Sequence, residues 1–366
     1  MTASTPRTAG PIRLLVMEGD GIGPEIAAAT LEVLRKADEV FGLDLSFEHA
    51  PIGFTALSAH GSTFPQATYE RALAADAIVL GPVSHNDYPP VAEGGLNPSG
   101  ELRKRLDLYA NIRPARSRPG VAPRCGKPVD LVVVRENTEG FYADRSMHMG
   151  PGEFMPTPDV ALAMRKITRN ACLRIAETAF ALARVRRKRV TVVHKANVLR
   201  ISDGLFLECT REVAARYPDV VCDEKLIDAM AALLVRDASV FDVIVSTNMY
   251  GDILSDEASE ISGSLGLAAS LNAGTDRALA QAQHGSAPDI AGRDLANPAS
   301  LIGSAAMLLT WLGERRGEAR LVEAADAIER ALDRAISDPG GRTRDMGGPL
   351  GTRDFTRRVV DAVARQ

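Results

Sequence analysis

Four cysteines stand in 366 residues, and Cys125, Cys172, Cys209 and Cys222 form neither a CxxC pair nor ladder spacing. Their number and spacing speak against a disulfide framework, and they read as reduced structural thiols, as expected of a cytoplasmic protein. A surplus of charge is missing too: 43 Lys and Arg face 47 Asp and Glu, a net charge of -4. Such a balance excludes a general phosphate-backbone binder. The basic run RVRRKRV (184–190) lies between a helical pattern and a strand and reads as a solvated helix end, so no nucleic-acid partner is expected. Long apolar runs are absent. LIGSAAMLLTWLG (301–313) carries no charge but is too short to span a bilayer, so a buried helix is expected and no membrane partner. The polar start MTASTPRTAG has no signal-type apolar core, so export is not expected. Neither GxGxxG nor GxxxxGK[ST] occurs; GDGIGPEI (19–26) implies only a tight strand-to-helix turn.

What is present is alternation. Short apolar runs at 13–17, 77–80, 130–134, 190–193 and 241–246 are separated by helical periodicity over 26–40, 160–183, 204–216 and 300–312. The pattern predicts an α/β chain with open sheets, and the length favours two lobes. MHMGPGEFMPTPD (147–159) interrupts it with Gly, Pro and aromatic residues and reads as a loop or protruding arm. Ligands in such folds collect beyond the carboxyl ends of strands.

Polar residues at those ends fall into four groups. Asp252 and Asp256, in NMYGDILSDEASEIS, lie four apart and share a helix face, where like charges repel unless a cation intervenes. With Asp228 in LIDAM they offer the oxygen ligands that Mg²⁺ or Mn²⁺ requires. Asp252, following Gly251, equally suits a helix N-cap. Arg103, Arg113 and Arg135 flank strands or helices and supply the forked donors that grip carboxylates. Lys195 ends the run VTVVH, and Tyr142 lies in ENTEGFY. A lysine crowded by other cations is a usable base; a structural ion pair for Lys195 and a core contact for Tyr142 are the alternatives. His194 reads as structural. The loop HGSAPDIAGRDLANP (284–298) has the small residues that let backbone N–H groups approach a flat or anionic ligand.

Six segments in order, GDGIGPEI, LRKRLDLYANIRP, VVVRENTEGFY, VHKANVLRISDGLF, YGDILSDEAS and HGSAPDIAGRDLANP, resemble the β-decarboxylating dehydrogenases. These are the isocitrate and 3-isopropylmalate dehydrogenases with their homoisocitrate, tartrate and D-malate relatives. The resemblance covers nearly the whole chain and is nearest in motifs to the NAD-dependent isocitrate branch. It implies a two-lobed α/β fold with a non-Rossmann dinucleotide site. Residues 1–108 plus 263–366 would form the large cofactor-binding lobe, and 109–262 the small lobe with a dimer arm. It further implies a homodimer with shared active sites.

Carried onto this sequence, the resemblance assigns Arg103, Arg113 and Arg135, with Ser99, to the carboxylates of a malate-type substrate. Tyr142 and Lys195 become the acid–base pair, Lys195 serving the neighbouring subunit. Asp252 and Asp256 become ligands of Mg²⁺ or Mn²⁺, joined by the second subunit's Asp228. His284, Gly285, Ser286, Ala287, Asp289, Ile290 and Asn297 would line the cofactor site. Asp289 would meet a free ribose diol and repel a 2′-phosphate, favouring NAD⁺ over NADP⁺. Gln281 departs from a glutamate-bearing stretch common in the family.

Substrate expectations follow from NPSGELRK, where Asn97, Ser99 and Gly100 replace the apolar residues that receive an isopropyl group. A polar 3-substituent, as in isocitrate, is therefore favoured; 3-isopropylmalate, homoisocitrate, tartrate and D-malate are the alternatives. VSHNDYPPVAEGG (83–95) fits none of these branches. A non-catalytic regulatory subunit is the rival from another class, and the presence of Tyr142, Lys195, Asp228, Asp252 and Asp256 argues against it.

Overall fold

The structure is a computed structural model that describes residues 10–142 and 147–365. The chain divides into two compact units: one holds the chain up to Ser99, Gly266–Leu271 and everything from Arg277 on, the other Gly100–Leu265 and Asn272–Asp276. The first unit opens with β1 (Ile12–Met17), α1 (Gly23–Phe41), β2 (Leu45–His49), α2 (Gly53–His60), α3 (Gln66–Ala74) and β3 (Ala77–Leu80). Then follow α4 (Pro98–Arg105), β4 (Ala110–Arg116), β5 (Asp130–Glu136), β6 (Glu153–Thr157), β7 (Val160–Ala163), α5 (Arg169–Arg184) and β8 (Arg189–His194). The second unit continues through α6 (Ser202–Ala214), β9 (Val221–Leu226), α7 (Ile227–Asp237), β10 (Val243–Ser246) and α8 (Asn248–Ser262). Last come β11 (Leu271–Ala273), β12 (Ala278–Gln281), α9 (Ala299–Arg316), α10 (Ala319–Ser337) and α11 (Thr352–Val363).

In the first unit β2, β1, β3 and β12 lie side by side, all parallel. Parallel strands covered on both faces read as unbroken apolar runs, and β3 is buried along its whole length. The glycine turn after β1 leads into α1, which has Pro in its first turn and ends where Gly42 takes φ 62° and its N–H reaches the Asp38 carbonyl. Helix α9 is buried over most of its length, as the uncharged 301–313 stretch requires. Among the described residues no helix is long and apolar enough to cross a membrane.

The second unit carries strands in the order β4-β5-β10-β8-β9, with only the β4–β5 pair antiparallel. Strand alternation decides what each face receives. Val132 and Val134 of β5, Val243 and Val245 of β10, and Val190 and Val192 of β8 pack with Ile175, Phe180 and Phe206 of α5 and α6. Leu131 and Val133, Ile244, and Val193 point the other way, onto Met230 and Leu234 of α7 and Leu254 and Ala258 of α8. The second set shares its face with Arg135 and, through Ala115 of β4, with Arg113.

Helical periodicity over 160–183 is broken in the structure. Residues Val160–Ala163 form β7, paired antiparallel with β6, and the helix starts only at Arg169. The Thr168 side chain accepts from the Ala171 N–H at 3.3 Å and sets that start, a local cap that outweighs the apolar spacing upstream. The arm expected at 147–159 contributes β6 to this hairpin. Of the basic run, Arg184 pairs with Asp219, Arg186 with Asp130 and Asp242, and Arg189 with Asp223.

Candidate active site

Helix α8 packs on β4 and β5. Gly251 permits the approach, because a Cβ there would sit 2.8 Å from the Cβ of Arg135. On the facing stripe, Asn248, Asp252, Ser255 and Asp256 recur at helical spacing and meet two guanidinium groups. Arg135 is 2% exposed; its Nε donates to Asn248 Oδ1 at 2.9 Å and its Nη1 pairs with Asp252. Arg113, 6% exposed, donates from Nη1 to Asp252 Oδ1 at 3.0 Å, Ser255 Oγ at 2.8 Å and Asp256 Oδ1 at 3.3 Å. Tyr142 hydroxyl donates to the other Asp252 oxygen at 3.3 Å, and the Arg135 guanidinium carbon lies 5.7 Å from the Tyr142 ring centroid.

The electrostatics follow from this crowding. Burial would push the Asp252 carboxyl up, but Arg135, Arg113 and Arg103, with the Tyr142 hydroxyl, outweigh it and hold it below its ordinary value. Burial and the neighbouring Arg135 charge bring the Arg113 guanidinium down to about 10, against the pull of Asp252 and Asp256. The acidic pair on α8 is thus compensated by guanidinium groups already in the fold, which spacing alone did not reveal. Nor is Asp252 an N-cap: Thr247 occupies that position, and Asp252 sits inside the helix.

Arg103, Arg113, Arg135, Tyr142, Asp252 and Asp256 therefore gather in one place. Lys195 and Asp228 do not join them: Lys195 Nζ pairs with Asp228. That ion pair is the structural alternative that the sequence left open for Lys195. It holds the Asp228 carboxyl below its ordinary value, chiefly through the hydrogen bond from Lys195. His194 accepts the Ala196 N–H at Nδ1, 3.0 Å, consistent with a structural part. Asn248 and Ser255 escaped sequence reasoning, although their place in the i, i+4, i+7 polar stripe was the available signal.

A divalent cation needs hard oxygen donors. Asp252 and Asp256 provide two that already flank one positive centre, Arg113 Nη1, so they fit such an ion. Among the described residues no three His, Cys, Asp or Glu side chains gather to hold one.

The remaining candidates lie in the first unit, Ser99 in the first turn of α4 and the others on the loop between β12 and α9. Ser286 accepts the Ile22 N–H on its carbonyl at 2.8 Å, and its hydroxyl lies 2.7 Å from that of Ser84. Gly21 makes this possible: at φ 57°, a Cβ would fall 2.0 Å from the Ser286 carbonyl oxygen. Ala287 holds φ 38°, a left-handed backbone unusual for a non-glycine residue. Burial lowers the His284 imidazole pKa, Nδ1 sits 3.0 Å from the Gly285 carbonyl, and the buried Nε2 has no partner among the described residues. An orphaned ring nitrogen on a small-residue loop suits a polar ligand. Gly285 and Asp289 are exposed and Ile290 half-buried, while Asn297 is occupied, accepting the Ala299 N–H and donating to Asp345 at 3.0 Å each. Ser99 donates to Gln281 at 3.0 Å, so the family departure at Gln281 gives this hydroxyl its partner.

Comparison with known proteins agrees with this architecture. The sequence profile described as isocitrate/isopropylmalate dehydrogenase matches residues 13–363. The chain is 43% identical over 353 residues to the isocitrate/homoisocitrate dehydrogenase of Thermus thermophilus, covering 96% of this chain and 98% of that one. It is 40% identical over 360 residues to the 3-isopropylmalate/3-methylmalate dehydrogenase of Methanocaldococcus jannaschii, covering 97% and 99%. The crystal structure of isocitrate dehydrogenase from Methylococcus capsulatus superposes with a TM-score of 0.85 at 39% identity, covering 96% of this chain and 99% of that chain. Matches of this extent, on the α/β fold described above, establish that the chain belongs to the isocitrate/isopropylmalate dehydrogenase family, a family of decarboxylating dehydrogenases.

Proposed function

We propose that the protein catalyses NAD⁺-dependent oxidative decarboxylation of a 3-substituted malate, with an isocitrate-like substrate favoured, as a homodimer with shared active sites. The observation that carries this reading is the convergence of Arg103, Arg113 and Arg135 on Asp252 beside the Tyr142 hydroxyl. A substrate with two or more carboxylates answers to forked cations, and the acids answer to a metal.

The arginines would hold the substrate carboxylates and orient the bond to be cleaved. Lys195 Nζ, once released from Asp228, would remove the 2-hydroxyl proton directly or by relay. Tyr142, through its hydroxyl, would return a proton to carbon after CO₂ has left. Asp252 and Asp256, with Asp228 of a second copy, would hold Mg²⁺ or Mn²⁺, which when bound supplies Lewis acidity at the 2-hydroxyl and at the charge developing on decarboxylation. His284, Gly285, Ser286, Ala287, Asp289, Ile290 and Asn297 would hold NAD⁺, the hydride acceptor, with the Asp289 carboxylate disfavouring a 2′-phosphate.

Supporting a homodimer is the β6–β7 hairpin, exposed at every residue with Phe154, Met155, Val160 and Leu162 uncovered. A two-stranded ribbon is marginal alone and calls for a cover. Ile253 of α8 and Val235 of α7 are likewise exposed.

Asn97, Ser99 and Gly100 favour a polar 3-substituent, and the Thermus relative is named for isocitrate and homoisocitrate. The second reading is an alkylmalate, for which the Methanocaldococcus relative is named. Assaying isocitrate, homoisocitrate, 3-isopropylmalate, 3-methylmalate, tartrate and D-malate with both nucleotides, alongside CO₂ release, decides between them. No turnover of any by the purified chain would favour a regulatory subunit.

A further inference from the structure

We propose that Arg165 and Asp203 are a positioning pair that ties together three segments carrying residues of the shared active sites: the Lys195 backbone, which serves the neighbouring subunit's site, the start of α8, and the turn at Phe141 and Tyr142. The inference rests on the roles given to Lys195 and Asp252 above.

Asp203, in the first turn of α6, is 0% exposed, and its Oδ2 accepts the Lys195 backbone N–H at 2.5 Å. Its Oδ1 takes Arg165 Nη1. Arg165, whose side chain is 8% exposed, also donates from Nη1 to Ser202 Oγ at 3.0 Å and from Nη2 to Thr247 Oγ1 at 2.9 Å. Thr247 is the N-cap residue of α8, the helix that carries Asp252 and Asp256. The guanidinium carbon lies 5.3 Å from the Tyr250 ring centroid and 5.8 Å from that of Phe141, the neighbour of Tyr142.

Nothing in this cluster belongs to the reaction itself, and stability alone does not call for it. A buried ion pair loses hydration on both partners, and a well-packed apolar pair holds a core as firmly. What an apolar pair lacks is direction. A guanidinium presents its donors in a rigid planar fork, so one side chain fixes the orientation of several partners together. Lys195 has a flexible four-carbon stem, and its reach is defined only if its Cα is held, which the Asp203 carboxylate does. Arg165 couples that anchor to α8 and to the Tyr142 turn. Neither residue was singled out from the sequence: Arg165 lies in a stretch that read as helix, and Asp203 lies in VHKANVLRISDGLF, where attention fell on Lys195.

The test uses the full-length purified protein, whichever malate proves to be the substrate, and that substrate deuterated at C2. Arg165→Met, Asp203→Asn and the double variant are compared with wild type. Misplacing a reacting group by about 1 Å costs up to ~100-fold, so kcat should fall ~10–100-fold with KM for substrate and nucleotide within about 3-fold. The deuterium isotope effect on kcat should rise as the chemical step becomes limiting, and Arg165→Lys should recover part of kcat. A pair that serves stability alone would lower the melting temperature yet leave kcat per folded protomer and the isotope effect at wild-type values; that result overturns the proposal. The double variant leaves no lone buried charge, so it supplies folded protein if a single variant does not fold. Lys195→Met is run in parallel. Full turnover there removes the base itself, whereas an inactive Lys195→Met with wild-type kcat in every pair variant overturns only the positioning role.

Discussion

Replacing Asp252 by Asn tests the electrostatics of the site most directly. The change keeps the shape and removes the charge that Arg113 and Arg135 share, leaving two nearly inaccessible guanidinium groups side by side. Removing one partner of a buried pair costs ~3–5 kcal/mol. Asp252 is 33% exposed and Asp256 still faces Arg113, so the expected loss is smaller. About 2–3 kcal/mol is appropriate after that discount. For a unit of about 150–250 residues this lowers the melting temperature by roughly 4–12 °C. The sign with pH is fixed as well. The native Asp252 carboxyl titrates below its ordinary value of 3.8, so its contribution is complete above that pH and fades as pH falls through the lower native value. Melting curves of wild type and Asp252→Asn should differ by a constant amount from about pH 6 to 8 and converge below about pH 4. Equal melting temperatures at neutral pH would refute the claim that Asp252 compensates the arginines.

Lys195→Met should lower turnover by ~10²–10⁴-fold, read as NADH formation. Its melting temperature should hardly move, because an exposed ion pair such as Lys195–Asp228 contributes little to stability. Asp289→Ser should raise kcat/KM for NADP⁺ relative to NAD⁺ by about 10-fold, measured with both nucleotides, since a repelling carboxylate is lost. Saturating EDTA should abolish turnover, and added Mg²⁺ or Mn²⁺ should restore it. Gly251→Ala, whose new Cβ meets Arg135 at 2.8 Å, should cost ~1–3 kcal/mol in denaturant melts and lower activity together with stability.

Much of the fold was legible locally. The run AIVL at 77–80 is β3 without adjustment, and the uncharged stretch at 301–313 lies inside buried α9. Strands that are short, exposed or less apolar went unseen: β9 has the pattern VCDEKL, and β6 and β7 have no buried residue. A strand of that kind is defined by its partner rather than by its own hydrophobicity. The error at 160–163 has the same origin, since VALA suits a helix until pairing with β6 claims it.

By itself the sequence determined the alternating architecture, the family, and the residue types offered as candidates for the site, because each is written in local order and spacing. Tertiary structure alone decided how those residues meet. Strand alternation turned Arg113 and Arg135 onto the α8 face, where guanidinium groups meet the repulsion between Asp252 and Asp256. It also buried Arg165 against Asp203, 38 positions away, behind the Lys195 backbone. Charge compensation between distant segments depends on distance and burial in space, and neither quantity exists along a one-dimensional chain.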